Sequence, residues 1–217
     1  MAINNDEEHS VTLNSGAVIQ LHPEPQSLAK TTGWVTWNAS ITVIRYLESH
    51  LSDVQDRRVA DLSTGNGLVA LAAAYMGASD VVASEVPSCS PLTRVNIECN
   101  PSVKDTIIVK DYGWGDDVCP IENCDLVIAS DLLFIAIRDS IYDELCKTLV
   151  DICKANKKLL FCYEERILDK EQAFMTDMAK YLEVESVPED QIDVSSDSND
   201  MFYEPPSIRM YILTLKV

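Results

Sequence analysis

Short apolar runs alternate with helix-like stretches along most of this chain. Residues 59–62, 80–85, 106–109, 124–129 and 158–163 are compact runs rich in Val, Ile, Leu and Ala and read as strands. Before, between and after them, residues 38–51, 68–75, 91–99, 140–155 and 170–181 read as helices; Ile141, Leu145, Leu149 and Ile152, for example, share one helical face. Strands that alternate with helices pair in parallel, because each crossover returns the chain to the same end of the sheet. Such a sheet is covered on both faces, which accounts for strands that are apolar almost throughout. The pattern changes after residue 181. Residues 184–187 and 207–217 are β-like runs with no helix between them, which predicts an antiparallel hairpin at one edge. Residues 11–21 form two apolar runs around Asn14-Ser15-Gly16, a separate hairpin signal. The expected architecture is α/β: a doubly wound, mostly parallel seven-stranded sheet with an antiparallel C-terminal edge hairpin, plus a short N-terminal β-hairpin arm. The arm is expected over residues 1–30 and a single domain over residues 31–217.

Composition narrows the classes of partner. The formal net charge is −18, which repels a phosphate backbone, so nucleic-acid binding is not expected and a partner with a basic surface is. No apolar run reaches the ~18 residues of a membrane helix. The acidic, polar residues 1–8 are unlike a secretory signal or a transit peptide. No membrane association is expected. The seven cysteines form no Cys-x-x-Cys pair and there are only three histidines, so no metal site is expected. The thiols sit in apolar contexts such as Leu160-Phe161-Cys162-Tyr163, as the reduced, packed cysteines of a cytoplasmic protein do. Eight acids and no base lie between Lys180 and Arg209, and residues 188–206 are expected to be a mobile, solvated loop. Nothing in the sequence fixes the oligomeric state.

The stretch with the most chemical content is Val59-Ala60-Asp61-Leu62-Ser63-Thr64-Gly65-Asn66-Gly67-Leu68. A strand runs through small residues and glycines into a helix, so the backbone turns tightly and a ligand can approach closely. The helix N-terminus offers free N–H groups to a carboxylate or phosphate. Glu85 follows at the end of the next strand, where a carboxylate can take both hydroxyls of a ribose. Two ligands compete for such a site. Gly65-Asn66-Gly67-Leu68-Val69-Ala70 fits the dinucleotide fingerprint G-x-G-x-x-A. Asp61 opposes it, since an acid at the end of the first strand repels a pyrophosphate. The same acid favours a cationic ammonium, directly or through water, as in the methionine part of S-adenosylmethionine.

The flanking motifs extend the second reading. The chain resembles the class I, seven-strand, S-adenosylmethionine-dependent methyltransferases, and more narrowly their non-histone protein-lysine methyltransferase branch. The branch signature Gly-x-x-x-Trp-Asp-Ala-Ala is matched by Gly33-Trp34-Val35-Thr36-Trp37-Asn38-Ala39-Ser40. The first motif, Glu-Leu-Gly-Ala-Gly-Thr-Gly, is matched by Asp61-Leu62-Ser63-Thr64-Gly65-Asn66-Gly67. Trp114-Gly115 stands for the Trp-Gly after the third strand, and Asp131-Leu132-Leu133-Phe134 for the Asp-x-x-Tyr after the fourth. Tyr163-Glu164-Glu165-Arg166 matches the charged motif ending the fifth. The resemblance runs over about residues 30–217.

The resemblance implies S-adenosyl-L-methionine as cofactor and a role for each matched residue. Trp37 would close the pocket, Ser63, Thr64 and Gly65 would line the methionine moiety, and Asp61 would join them in binding the cofactor. Glu85 would take the ribose hydroxyls and Trp114 would border the adenine, with Asp111 near the adenine amine. Ser130 would line the cofactor, and Asp131 would be catalytic, facing the transferred methyl and orienting the incoming amine. Three positions depart from the pattern: Ser63 and Thr64 replace glycine and alanine, and Phe134 replaces tyrosine, which keeps the ring and drops the hydroxyl. The implied activity is methylation of lysine on a protein with a basic surface. Transfer to a small molecule, a histidine or an N-terminus stays open, as does a non-catalytic module that kept the fold.

Overall fold

The computed structural model describes residues 10–22, 32–193 and 206–216. An antiparallel pair, β1 (Ser10–Thr12) and β2 (Val18–Gln20), precedes α1 (Asn38–Ser49). There follow β3 (Arg58–Leu62), α2 (Leu68–Tyr75), β4 (Asp80–Glu85), α3 (Ser90–Glu98) and β5 (Ile107–Asp111). Then come β6 (Leu126–Ser130), α4 (Leu132–Arg138), α5 (Tyr142–Ala155), β7 (Leu159–Glu164), α6 (Leu168–Met178), β8 (Leu182–Ser186) and β9 (Ile208–Leu215). The main sheet has seven strands in the order β5-β4-β3-β6-β7-β9-β8. The first five pair in parallel; β9 runs antiparallel between β7 and β8, so the expected edge hairpin is present with its second strand inside. Among the described residues no helix is long and apolar enough to cross a membrane.

Strand alternation sorts the core into two layers. Val59, Val81, Ile128 and Leu160 face α1 and α2; Ala60, Leu62, Val127, Ala129 and Phe161 face α4, α5 and α6. Helix α2 is Leu-Val-Ala-Leu-Ala-Ala-Ala-Tyr, strong helix formers that are buried nearly all round, so the helix has no polar face. Gly77, at φ 91°, ends it, and the Ala78 N–H reaches back to the Ala73 carbonyl at 3.1 Å.

The N-terminal hairpin packs on this core, with Leu13 and Ile19 buried. Asn100 on the α3 side receives the Gln20 N–H (3.0 Å) and donates to the Gln20 carbonyl (2.7 Å). One link below, Asn96 of α3 accepts from the His22 N–H (2.6 Å) and donates to the Asn66 carbonyl (2.7 Å).

Two sequence expectations change. Helix α4 was not expected: Leu132-Leu133-Phe134-Ile135-Ala136-Ile137-Arg138 is apolar up to its last residue, so it shows no periodicity, and only the packing of Leu133 and Ala136 against the sheet defines it. The start of the acidic loop carries local structure. Glu189–Gln191 form a 3₁₀ turn and Glu189 pairs with Arg209 at 2.8 Å; the rest of that expected loop, 194–205, lies outside the described residues.

Candidate active site

Strand order reverses about β3 and β6: β4 and β5 lie to one side, β7 to the other. The loops leaving the carboxyl ends of β3 and β6 therefore diverge, and the crevice between them is where open α/β sheets bind ligands. A cavity of about 300 Å³ opens there. Gly33, Trp37, Ser63, Thr64, Gly65, Glu85, Trp114, Ser130 and Asp131 line it, together with Ser40, Asn66 and Cys89. Thus eight of the ten expected site residues meet in one cavity. The ninth, Asp61, does not line it. It sits behind Thr64, whose hydroxyl donates to the Asp61 carboxylate. Asp111 is also outside, exposed and paired with Arg94 at 3.1 Å.

The loop after β3 is shaped by backbone contacts. Gly65 lies at φ 60°, and a Cβ there would stand 2.8 Å from the Gly33 carbonyl oxygen. Gly33 opens the Gly-x-x-x-Trp stretch, so two separated motifs interlock at this contact. Ser63, at φ 54°, holds a left-handed conformation usually left to glycine. Its hydroxyl accepts the indole N–H of Trp114 at 2.8 Å. The serine thus ties one cavity wall to another, a connection a glycine cannot make.

Glu85 is 5% exposed and accepts the Gly65 N–H (2.7 Å) and the Val86 N–H (2.8 Å), one on each carboxylate oxygen. Burial pushes its pKa up, against the pull of those two amides. Asp61 is 2% exposed, and burial pushes it from 3.8 up to about 7, aided by the nearby Glu85 and opposed by the Thr64 hydroxyl and the Ala70 amide. In that window the folded chain holds a proton that the unfolded chain has released. Stability must therefore fall as pH rises from near 3.8 to about 7, and the loss is complete above it. Asp61→Asn should flatten this slope. Melting temperatures of parent and variant across the window check it; parallel curves would show that Asp61 is ionised in the folded protein.

At the other end of the cavity Asp131 occupies the N-cap position of α4 at φ 60°, yet its side chain makes no cap hydrogen bond. The carboxylate pairs with Arg166, Nη1 to Oδ1 at 2.8 Å and Nη2 to Oδ2 at 2.9 Å. Ser130 faces Ser40, hydroxyl to hydroxyl, at 3.3 Å. Ile135, Arg138, Asp139 and Ile141 complete the wall. Sequence reasoning missed these four because they depend on α4, and it missed the Arg166 pairing because 35 residues separate the partners.

The lysine methyltransferase family model matches residues 19–181, three quarters of the chain. The chain belongs to the lysine methyltransferase family. Its relatives include the protein N-terminal and lysine N-methyltransferase EFM7 of Kluyveromyces lactis, 26% identical over 178 residues, 69% of this chain and 65% of that protein. Protein N-lysine methyltransferase METTL21A of Danio rerio is 25% identical over 156 residues, 70% of each chain. The match thus spans about two thirds of these relatives' length. Among solved structures, a ribosomal protein L11 methylase from Lactobacillus delbrueckii subsp. bulgaricus shares the fold at a TM-score of 0.58 with 16% identity, over 96% of this chain and 100% of that one.

S-adenosyl-L-methionine is the cofactor of this lysine methyltransferase family member. The cavity suits it chemically. A buried carboxylate, Glu85, stands at the end of β4, an indole, Trp114, walls one side, and the Gly65 turn leaves its backbone bare.

Proposed function

We propose that this protein transfers a methyl group from S-adenosylmethionine to the ε-amine of a lysine on a basic protein surface. The observation that carries the reading is one continuous cavity lined by the Ser63–Gly65 turn and Glu85 at one end and by Trp37, Ser130 and Asp131 at the other. When bound, the cofactor supplies an electrophilic methyl group on a sulfonium. Glu85 holds the ribose, Trp114 flanks the adenine, and Ser63, Thr64 and Gly65 present backbone groups to the methionine part. Asp61 acts on the ammonium through the Thr64 hydroxyl. Trp37 closes the pocket and excludes water. Asp131, at the carboxyl end of β6, orients the amine. Catalysis then rests chiefly on positioning in a dry channel.

A protein α-amine is the second acceptor. Its free pKa of about 7.7–8.0 makes deprotonation easier than for lysine at about 10.4. Phe134 brings no hydroxyl to assist a lysine, and the Kluyveromyces relative's name includes N-terminal transfer. The net charge of −18 suits either acceptor on a basic protein and steers it by long-range attraction. A reducing, cytoplasmic setting belongs to the same reading, with Cys124, Cys153 and Cys162 buried as thiols.

Cell extract, purified protein and isotope-labelled cofactor test the proposal. Label should enter protein, and fragmentation should map it to a lysine side chain. Label on an N-terminal amine selects the second acceptor. Label only in small molecules, or no transfer while the cofactor binds, overturns the protein-methylation reading.

A further inference from the structure

Three motif stretches far apart in the chain converge on the side chain of Arg166. Its guanidinium forks onto both oxygens of Asp131 and also reaches the Glu164 carboxylate at 3.0 Å. The carbon of the guanidinium lies 5.3 Å from the ring centre of Trp37 and 5.2 Å from that of Phe134, so two aromatic rings flank it. The backbone on either side is pinned as well. The Arg166 and Ile167 N–H groups donate to Glu171 Oε1 at 2.9 and 3.0 Å, and Asn38 donates to Glu164 Oε2 at 3.2 Å. The Asp131 side chain is 4% exposed and that of Arg166 20%, so the pair is largely shielded from solvent.

This arrangement explains why Asp131 does not cap its helix. A carboxylate at an N-cap position ordinarily turns back to the first-turn amides. Here the planar fork holds it edge-on, and the Glu164 N–H adds a third donor at 3.3 Å. Asp131 still lines the cavity, so the fork sets which lone pairs face the acceptor. Arg166 itself does not line the cavity. We infer that Arg166 is a positioning residue, the guanidinium that fixes the direction of Asp131 and braces Trp37, which walls the acceptor end. The inference rests on Asp131 as the acceptor-end residue of the proposed function.

The test compares the full-length parent with Arg166→Ala, Arg166→Lys and Arg166→Met. Arg166→Ala should keep cofactor affinity within about twofold while kcat for the mapped protein substrate falls at least about tenfold. Guanidinium chloride at low millimolar concentration should restore part of kcat and raise the melting temperature of this variant. Arg166→Met fills the same space without charge, and guanidinium should restore nothing. Arg166→Lys should stay well below the parent, because an ammonium cannot form the fork. A parent-like or faster rate in Arg166→Ala overturns the inference; the faster rate would mark an internal plug instead. A loss that guanidinium does not recover, with cofactor affinity falling in step, also overturns it and leaves a purely structural arginine. If the parent transfers no label to protein, the proposed function fails by itself. The slot is then decided by melting: guanidinium should stabilise Arg166→Ala but not the double variant Arg166→Ala/Asp131→Asn, and equal behaviour of the two refutes the pairing.

Discussion

Glu85→Ala should weaken S-adenosylmethionine binding by about a hundredfold or more. Two charge-assisted hydrogen bonds to the ribose are lost, each worth ~1.5–3 kcal/mol. The structure adds a second reason. Each carboxylate oxygen of Glu85 already accepts a backbone N–H, from Gly65 and from Val86, so the side chain holds the turn on which the cofactor rests. Glu85→Gln is then no mild change. An amide must aim its NH₂ group at one of those N–H donors, and one contact turns repulsive. Both variants should bind the cofactor poorly, with alanine the worse. Calorimetry reads the difference, and a dissociation constant within about threefold of the parent for Glu85→Ala would remove Glu85 from the site.

Asp131→Asn should lower methyl transfer by at least an order of magnitude, about 1.4 kcal/mol in the barrier, with cofactor affinity almost unchanged. From sequence alone the substitution looks harmless to stability, since asparagine caps helices as well as aspartate does. The structure changes that expectation. Asparagine would leave Arg166 with Glu164 as its remaining charged partner, in a place where its side chain is only 20% exposed. Breaking one arm of such a pair costs on the order of 1–3 kcal/mol in a half-buried setting. A lowered melting temperature should therefore accompany the lost activity. Parent-like transfer on the mapped substrate would show that Asp131 is not catalytic.

The chain declares its fold because the sheet is buried on both faces. Strands β3, β4, β6 and β7 are buried at nearly every position and carry Val, Ile, Leu, Ala or Phe through much of their length, and α2 ends at a glycine that no other residue replaces cheaply. The cofactor loop was legible for a related reason: glycines at tight turns and an acid at a strand end leave a local signature. Three features were not legible. Helix α4 has no polar face. The Ser63–Trp114 bond joins residues 51 apart, and the Asp131–Arg166 fork joins residues 35 apart. Such pairings are set by which strand ends the sheet order brings together, and no local pattern encodes that. Asp61 shows the converse. Its place at the end of β3 was foreseen, but the hydroxyl of Thr64, a departure from the family pattern, stands between it and the cavity.

Asn96 gives the N-terminal hairpin a role beyond covering apolar surface. One amide carries both ends of a relay: its oxygen holds the His22 N–H and its nitrogen holds the carbonyl of Asn66, next to the turn that cradles the cofactor. Removing the arm opens one side of that amide, and the side chain is then free to rotate and release Asn66. The turn would loosen although no residue touching the ligand had changed. Trimming the chain ahead of residue 23 should thus register as weaker cofactor affinity, and a bound cofactor should in turn slow proteolysis of the hairpin, because linked equilibria act in both directions.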